Sequence, residues 1–110
     1  MARLNMKFGL KEKIIEQIKS VFVNYPQVEE VILYGSRAKG SFKNGSDIDI
    51  TLKGSGLNRL VISKISRDLD DLFLPYSFDL SIFEQISNPD IVDHIKRVGV
   101  IFYEKEHDCA

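Results

Sequence analysis

Apolar residues recur along the chain with two different periods, and the period changes several times. Spacings of three and four residues over 10–25 and over 57–73 indicate amphipathic helices. Pro26 and Pro75 follow these two stripes, and proline ends a helix. Asn88-Pro89-Asp90 combines a capping residue, a proline suited to the first helical position and an acid in the first turn, so a third helix is expected there.

Shorter apolar runs with a period of two, or with no polar interruption, predict strands between these helices. Gly35-Ser36 ends one such run, and Gly54-Ser55-Gly56 ends another. The predicted order is helix 10–25, strand 28–34, strand 47–53, helix 57–73, strand 77–83, helix 89–98 capped by Gly99, and strand 100–103.

This order of elements predicts an α+β or α/β fold with one small mixed sheet, covered by helices on one face. At 110 residues the chain is expected to form a single domain over 1–110. Residues 1–9 form a leader without a clear pattern, and 104–110 form a polar tail; both are expected to be flexible.

The most informative chemistry lies in the strand that opens with Asp47-Ile48-Asp49. Residues two apart in a strand point the same way, so Asp47, Asp49 and Thr51 share one face. Two adjacent carboxylates repel each other unless a positive group lies between them. Hard oxygen ligands at this spacing suit Mg²⁺, which takes one or two protein carboxylates and fills its shell with water and substrate phosphates.

The Gly-Ser turn before this strand suggests a phosphate site. Gly35 permits a close backbone approach, and the amides after it could point at phosphate oxygens from a turn or a helix start. The loop that follows carries three cationic side chains, those of Arg37, Lys39 and Lys43.

The stretch 34–50 resembles the signature of the polymerase-β-like nucleotidyltransferases: Gly-Ser, a basic residue, a further glycine, then Asp-x-Asp on the next strand. The residues that fill these positions are Gly35, Ser36, Arg37, Gly40, Asp47 and Asp49. Lys39 stands where many relatives have arginine, which keeps the charge but loses the bidentate fork. An isolated Asp-x-Asp or Gly-Ser is a weak signal, whereas both at this spacing between two predicted strands are specific.

The resemblance also implies a third carboxylate on the neighbouring strand, and Asp79 matches it by position. An acid within an apolar strand is costly unless it is paired or faces water. The alternative, an acid on an edge strand that simply faces water, stays open at this point.

The remaining polar candidates favour structural interpretations. Asp68, Asp70 and Asp71 lie on a predicted helix, where residues two apart face nearly opposite ways, so they are expected to be surface carboxylates. His94 is expected to be a surface or hydrogen-bonded histidine, and two tail residues, His107 and Cys109, are too few for a metal site.

Composition limits the classes of function. There are 15 Lys+Arg against 16 Asp+Glu, a formal net charge of −1, so nothing indicates the basic surface of a nucleic-acid-binding protein. No apolar run approaches the roughly 18 residues of a membrane span, and no signal-peptide pattern is present. The single cysteine, Cys109, cannot form an internal disulfide, and a cytoplasmic location is expected.

The resemblance covers nearly the whole chain and is closest to the minimal nucleotidyltransferase (MNT) branch. It implies transfer of a nucleoside monophosphate with one or two Mg²⁺ ions, AMP from ATP being the expected case. The implied catalytic and metal-binding residues are Asp47, Asp49 and Asp79, and the implied nucleotide-binding residues are Gly35, Ser36, Arg37 and Lys39.

MNT proteins typically act with a separate helical partner of the HEPN class, as antitoxins that transfer AMP to a tyrosine of that partner. The resemblance therefore implies a HEPN-class partner and a toxin–antitoxin role. The alternative is a binding module without catalysis, which holds a nucleotide or neutralises a partner by contact alone. A polymerase or end-adding enzyme is less compatible, because the chain lacks a basic surface. The sequence does not decide the nucleotide, the acceptor or the oligomeric state.

Overall fold

The predicted order of helices and strands is present in the computed structural model, which describes residues 6–7, 9–40 and 47–105. Most elements are shorter than predicted, by one to three residues at an end. The elements are β1 Met6–Lys7, β2 Leu10–Lys11, α1 Glu12–Val23, β3 Glu30–Tyr34, α2 Gly35–Lys39, β4 Ile48–Lys53, α3 Arg59–Asp70, β5 Phe78–Ile82, a 3₁₀ turn at Phe83–Gln85, α4 Pro89–Val98 and β6 Val100–Glu104.

Four of the strands form one mixed sheet in the order β5-β4-β3-β6. β3 is antiparallel to both of its neighbours, and β4 is parallel to β5. The end of β3 and the starts of β4 and β5 therefore lie at the same end of the sheet. Ile48 N donates a hydrogen bond to Ser77 O over 2.8 Å, which joins the segments leading into β4 and β5 at this end.

Short parts of the segments predicted to be a leader and a tail belong to strands. β1 pairs with β2 in a short antiparallel hairpin, so Met6–Lys7 is part of a strand. Glu104 belongs to β6, and Lys105 N donates to Glu29 O over 2.8 Å. Lys43, His107 and Cys109 lie outside the described residues.

The main core lies between one face of the sheet and the helices α1 and α3. Alternate residues of β4 supply its centre, and Ile48, Ile50 and Leu52 are fully buried, as their period-two spacing predicts. α1 contributes Phe22 and α3 contributes Ile65, both also fully buried. The apolar stripes predicted from the sequence are largely the buried faces of these helices. The stripe over 57–73 is wrong at two positions, because Leu60 is 63% exposed and Phe73, which lies beyond the end of α3, is 89% exposed.

The second face of the sheet is not bare, which corrects the expectation of a sheet covered on one face only. α4 packs across β3 on this side, where Ile32 and Ile95 are both buried. Gly99 follows α4 in an extended conformation, not as a left-handed cap. A side chain there would collide with the Ile95 carbonyl and with Ile32, so glycine permits the close approach of α4 to β3. The part of this face over β4 and β5 carries the polar residues.

Two helices begin at an asparagine cap, of which the one at Asn88 was predicted from the sequence. The Asn88 side chain accepts a hydrogen bond from Asp90 N at 2.9 Å, and Asn58 does the same for Val61 N at 2.9 Å. Across the described ranges, no helix is long and apolar enough to cross a membrane.

A tyrosine–carboxylate pair joins α3 to the turn that follows α1. The Tyr25 hydroxyl donates to Asp68 Oδ2 at 2.5 Å, so one of the acids predicted to lie on the surface has a structural partner. Burial, this hydrogen bond and the charge of Asp68 raise the pKa of Tyr25 from 10.0 to about 12. The folded state therefore favours the protonated phenol.

We predict that Tyr25→Phe lowers the free energy of unfolding by about 1 kcal/mol near pH 8, the usual net value of such a hydrogen bond. The raised pKa means that the stabilisation is present below pH 10.0 and is lost as the pH rises toward about 12. Urea unfolding at pH 8 and pH 11 measures both effects. Asp68→Asn keeps a hydrogen-bond acceptor for Tyr25 but removes the negative charge. It should therefore lower the free energy of unfolding at pH 8 by less than Tyr25→Phe does. An equal loss of stability between these pH values in wild type and Tyr25→Phe would contradict the assignment.

Candidate active site

Two of the three predicted carboxylates are direct neighbours on parallel strands. Asp49 of β4 and Asp79 of β5 are register partners, and residues opposite each other on adjacent strands share a face. Asp47 lies just before β4, two residues from Asp49. Asp47 and Asp79 are exposed, whereas Asp49 is half-buried. The neighbouring Ile48 and Ile50 are fully buried on the opposite face.

The electrostatics of Asp49 show that the three acids act on one another. Partial burial raises the pKa of the Asp49 carboxyl above its ordinary value, the charges of Asp79 and Asp47 raise it further, and His94 opposes the shift. Like charges that share a site resist full ionisation. A cation placed on this face would relieve that repulsion, which is the requirement the sequence indicated.

The Gly-Ser segment approaches these acids from β3. Tyr34, the last residue of β3, is the register partner of Asp49, and Gly35 follows it with a φ of +77°. A Cβ on Gly35 would collide with the Asp49 carboxylate, and its distance to Asp49 Cγ would be 3.2 Å. Glycine is thus required here both by the backbone angle and by the space that Asp49 fills.

The residues after Gly35 form a helical turn, α2, where the sequence indicated a loop or a helix start. The first N–H groups of a helix have no acceptor within it, so the start of α2 offers amides beside Asp49. Ser36 is half-buried at this start, and Lys39 is exposed at its end. α2 ends at Gly40, whose φ of +81° is that of a left-handed cap.

Arg37 is more buried than is expected of a residue whose side chain only binds phosphate. It is 3% exposed, and its guanidinium carbon is 5.0 Å from the centroid of the Tyr76 ring. This stacking joins α2 to the segment that leads into β5. A structural role for Arg37 was not predicted, and its contact with phosphate stays a prediction.

Two aromatic residues beside the acids were not identified from the sequence. The rings of Tyr34 and His94 meet edge to face, with centroids 6.3 Å apart. Burial raises the pKa of the Tyr34 hydroxyl, the Ser81 hydroxyl lowers it, and Asp79 and Asp49 raise it again. The period of β3 places Tyr34 on the polar face and could have identified it. His94 lies there because α4 crosses β3, for which the sequence gives no local signal.

The three carboxylates are chemically suited to a divalent cation, since carboxylate oxygens are the ligands that Mg²⁺ prefers. Among the residues whose placement is described, no three histidine, cysteine, aspartate or glutamate side chains already form a metal-binding cluster. The metal site of Asp47, Asp49 and Asp79 therefore stays a prediction, supported by their common face and their mutual repulsion.

The family model named polymerase beta, nucleotidyltransferase matches residues 16–108. The chain belongs to this family. The match includes every residue that carried the resemblance, from Gly35 to Asp79, so the predicted family and its nucleotidyltransferase class are confirmed. No curated protein sequence matches the chain significantly.

Several solved structures have the same fold at low sequence identity. A toxin–antitoxin structure with AMP-PNP is 17% identical, with a TM-score of 0.68 over 84% of this chain and 74% of that chain. The toxin–antitoxin pair MntA–HepT is 15% identical, with a TM-score of 0.64 over 86% and 74% of the two chains. A tri-AMPylated Shewanella oneidensis HEPN toxin in complex with an MNT antitoxin is 16% identical, with a TM-score of 0.63 over 86% and 72%.

The two glycines that flank α2 provide a matched test of the site geometry. Both have a left-handed backbone, so alanine should cost each about 1–2 kcal/mol of stability. An added Cβ at Gly40 meets nothing within 4 Å, whereas at Gly35 it meets the Asp49 carboxylate. We predict that Gly40→Ala keeps Mg·ATP binding and that Gly35→Ala loses it. Thermal unfolding with and without Mg·ATP measures both quantities.

Equal retention of Mg·ATP binding by the two alanine variants would contradict the contact between Gly35 and Asp49. Equal loss in both would indicate that the backbone angle of α2, and not the space beside Asp49, determines binding.

Proposed function

We propose that this chain transfers AMP from ATP to a hydroxyl group of a protein, a tyrosine of a HEPN-class partner, and thereby acts as an antitoxin. The observation that carries the proposal is the register pairing of Asp49 with Asp79, beside Asp47 and directly after the Gly35-Ser36 turn. The nucleotidyltransferase class follows from the family, and the nucleotide and the acceptor are the proposed parts.

The choice of AMP and of a HEPN-class acceptor is supported by proteins of the same fold. One of these structures contains AMP-PNP, and another contains a tri-AMPylated HEPN toxin in complex with its MNT antitoxin. A cytoplasmic location belongs to the same proposal, as does the absence of a direct contact with nucleic acid, which the formal net charge of −1 favours.

Mg²⁺ would be held by Asp47, Asp49 and Asp79, and when bound it supplies positive charge for the phosphates and for the oxygens that enter and leave phosphorus. The hard carboxylate donors on one polar face fit this ion. The half-burial of Asp49 strengthens its interaction with any charge placed there, because water screens it less.

The phosphates of ATP would lie over the start of α2. Backbone amides after Gly35 and the Ser36 hydroxyl would donate to phosphate oxygens, and Lys39 would neutralise part of the leaving-group charge. Arg37 supports this surface by its stacking on Tyr76 and would add its charge from below. These groups are held by the backbone before the substrate binds, so positioning and electrostatics supply most of the catalysis.

Asp79 would act on the acceptor. It is exposed on β5, next to Asp49, where an incoming hydroxyl can reach it. The hydroxyl oxygen attacks the α-phosphorus and loses its proton toward Asp79, while the bond from the α-phosphorus to the bridging oxygen breaks and pyrophosphate leaves. No covalent enzyme intermediate is involved.

The first test of this proposal is ligand-dependent stability. Wild type should gain about 2.7 kcal/mol when Mg·ATP is present at 100 times its Kd. Asp47→Asn with Asp49→Asn should lose this gain.

The same double variant also tests the repulsion between the acids. The raised pKa of Asp49 means that its ionised form is less favourable in the folded state, so its stabilising contribution at low pH is lost as the pH rises through that pKa. The double variant should therefore be the more stable protein at pH 7 without ligand. Thermal unfolding measures both effects.

The control is Glu16→Gln with Glu84→Gln, which removes two exposed carboxylates elsewhere. It should keep the full gain from Mg·ATP. An Asp47→Asn, Asp49→Asn protein that binds Mg·ATP as tightly as wild type would show that the nucleotide site is assigned to the wrong residues.

The second test separates a transferase from a binding module. Asp79→Asn is nearly isosteric, so folding and partner association should survive while transfer falls by at least about 100-fold. The assay mixes the chain with α-labelled ATP and a HEPN-class protein from the same organism, and counts label on that protein. A pull-down of the same pair is measured in parallel, and Asp90→Asn, an exposed acid of α4, is the control variant.

Unchanged labelling by a folded Asp79→Asn protein would exclude the third-carboxylate assignment. Tight association without labelling by wild type, with each of the four nucleoside triphosphates, would favour the binding module.

A further inference from the structure

Phe73 combines two features that are each unfavourable in an isolated protein. Its side chain is 89% exposed, although a phenylalanine normally gains from burial. Its φ of +55° lies in the left-handed region, and it is the only residue other than glycine in the described ranges with a positive φ. A bulky residue with such a backbone is rare, and strain of this kind is often found at sites of function.

The apolar neighbours of Phe73 occupy the positions that face the core. Leu72, Leu74 and Tyr76 all pack against the core, which leaves Phe73 pointing outward between them. Phe73 N donates to Asp70 O over 3.0 Å, at the end of α3. The Tyr76 ring is stacked by Arg37. The exposure of Phe73 is therefore fixed by its neighbours.

Phe73 lies near the same end of the sheet as the carboxylates. The segment 71–77 leads from α3 into β5, at the end of the sheet where Asp47, Asp49 and Asp79 lie. Phe73 and Asp79 are six positions apart in the chain, so their Cα atoms are at most about 22 Å apart. A typical protein interface covers about 800 Å² on each partner, a disc of about 32 Å diameter. A protein that presents a hydroxyl to Asp79 can therefore also cover Phe73, whereas a small molecule cannot.

We infer that Phe73 is the docking anchor for the protein acceptor of the reaction, an assignment that rests on the proposed function. The acceptor receives the ring in an apolar pocket while its hydroxyl lies at the carboxylates. Exposed Asp70 and Asp71 flank the anchor, so the rim of that pocket is expected to carry lysine or arginine. Aromatic residues that fill a pocket at the centre of an interface supply a large share of its binding energy.

The test uses Phe73→Asn, because asparagine tolerates the left-handed backbone and removes the ring. The acceptor is the HEPN-class protein of the transfer assay, produced separately, and its Kd is measured by biolayer interferometry at low and high salt. We expect Phe73→Asn to weaken binding about tenfold and to raise the KM for the acceptor without a matching rise in the KM for ATP. Phe73→Gly, which also relieves the backbone, should behave in the same way.

The matched control is Val23→Asn. Val23 is also an exposed apolar residue, 64% accessible, but it ends α1 ahead of the turn into β3, at the opposite end of the sheet. This variant should bind and label the acceptor like wild type. Labelling by wild type reports the proposed transfer, and the difference between the two asparagine variants reports the anchor, so the two claims fail separately.

Three results would overturn the anchor. One is equal acceptor binding by wild type and both Phe73 variants. Another is a KM for the acceptor that is the same in wild type and in both Phe73 variants. The third is self-association of wild type, seen by sedimentation and lost in Phe73→Asn, which would make a second copy of this chain the occupant.

Discussion

The register of β4 determines both the core and the site, because the two faces of this strand carry opposite chemistry. Ile48, Ile50 and Leu52 are fully buried against the helices, and the acids lie on the other side. A shift of one residue would turn the isoleucines outward and bury Asp49 without a partner. β4 is also hydrogen-bonded on both edges, to β3 and to β5. The burial of three aliphatic side chains thus holds the carboxylates in place.

The same register assembles the site from segments that are distant in sequence. Tyr34 and Asp79 are the partners of Asp49 on its two sides, so one row across the sheet joins β3, β4 and β5. The row is unfavourable electrostatically, as the raised pKa of Asp49 indicates. The packing of the opposite face offsets part of this repulsion, because Ile48 and Ile50, on either side of Asp49, are fully buried.

Local periodicity predicted the parts of the fold and of the site that depend on a single strand. The alternation in 47–53 gave the correct faces of β4, and the end of the preceding strand at Gly35-Ser36 was predicted correctly. The burial of Arg37 and the contact between Tyr34 and His94 were not predicted, because each joins segments far apart in the chain. α4 was correctly identified as a helix, but nothing in its sequence indicates that it crosses β3. Pairwise packing of this kind has no periodic signal.

The layers of helices on the sheet also constrain the direction from which an acceptor can approach. One face of the sheet is committed to α1 and α3, and α4 covers the β3 side of the other face. Over β4 and β5, Thr51 and the Ser81 hydroxyl are also buried, so the accessible acids lie at the end of the sheet. Small-molecule sites usually enclose most of their ligand in a concave pocket. Within the described part of the chain, Asp47 and Asp79 are exposed at this end of the sheet. A protein acceptor brings its own surface to complete the cavity and to exclude water from the half-buried Asp49. The exposed acids at the end of the sheet can therefore be reached by a hydroxyl group that a second protein presents.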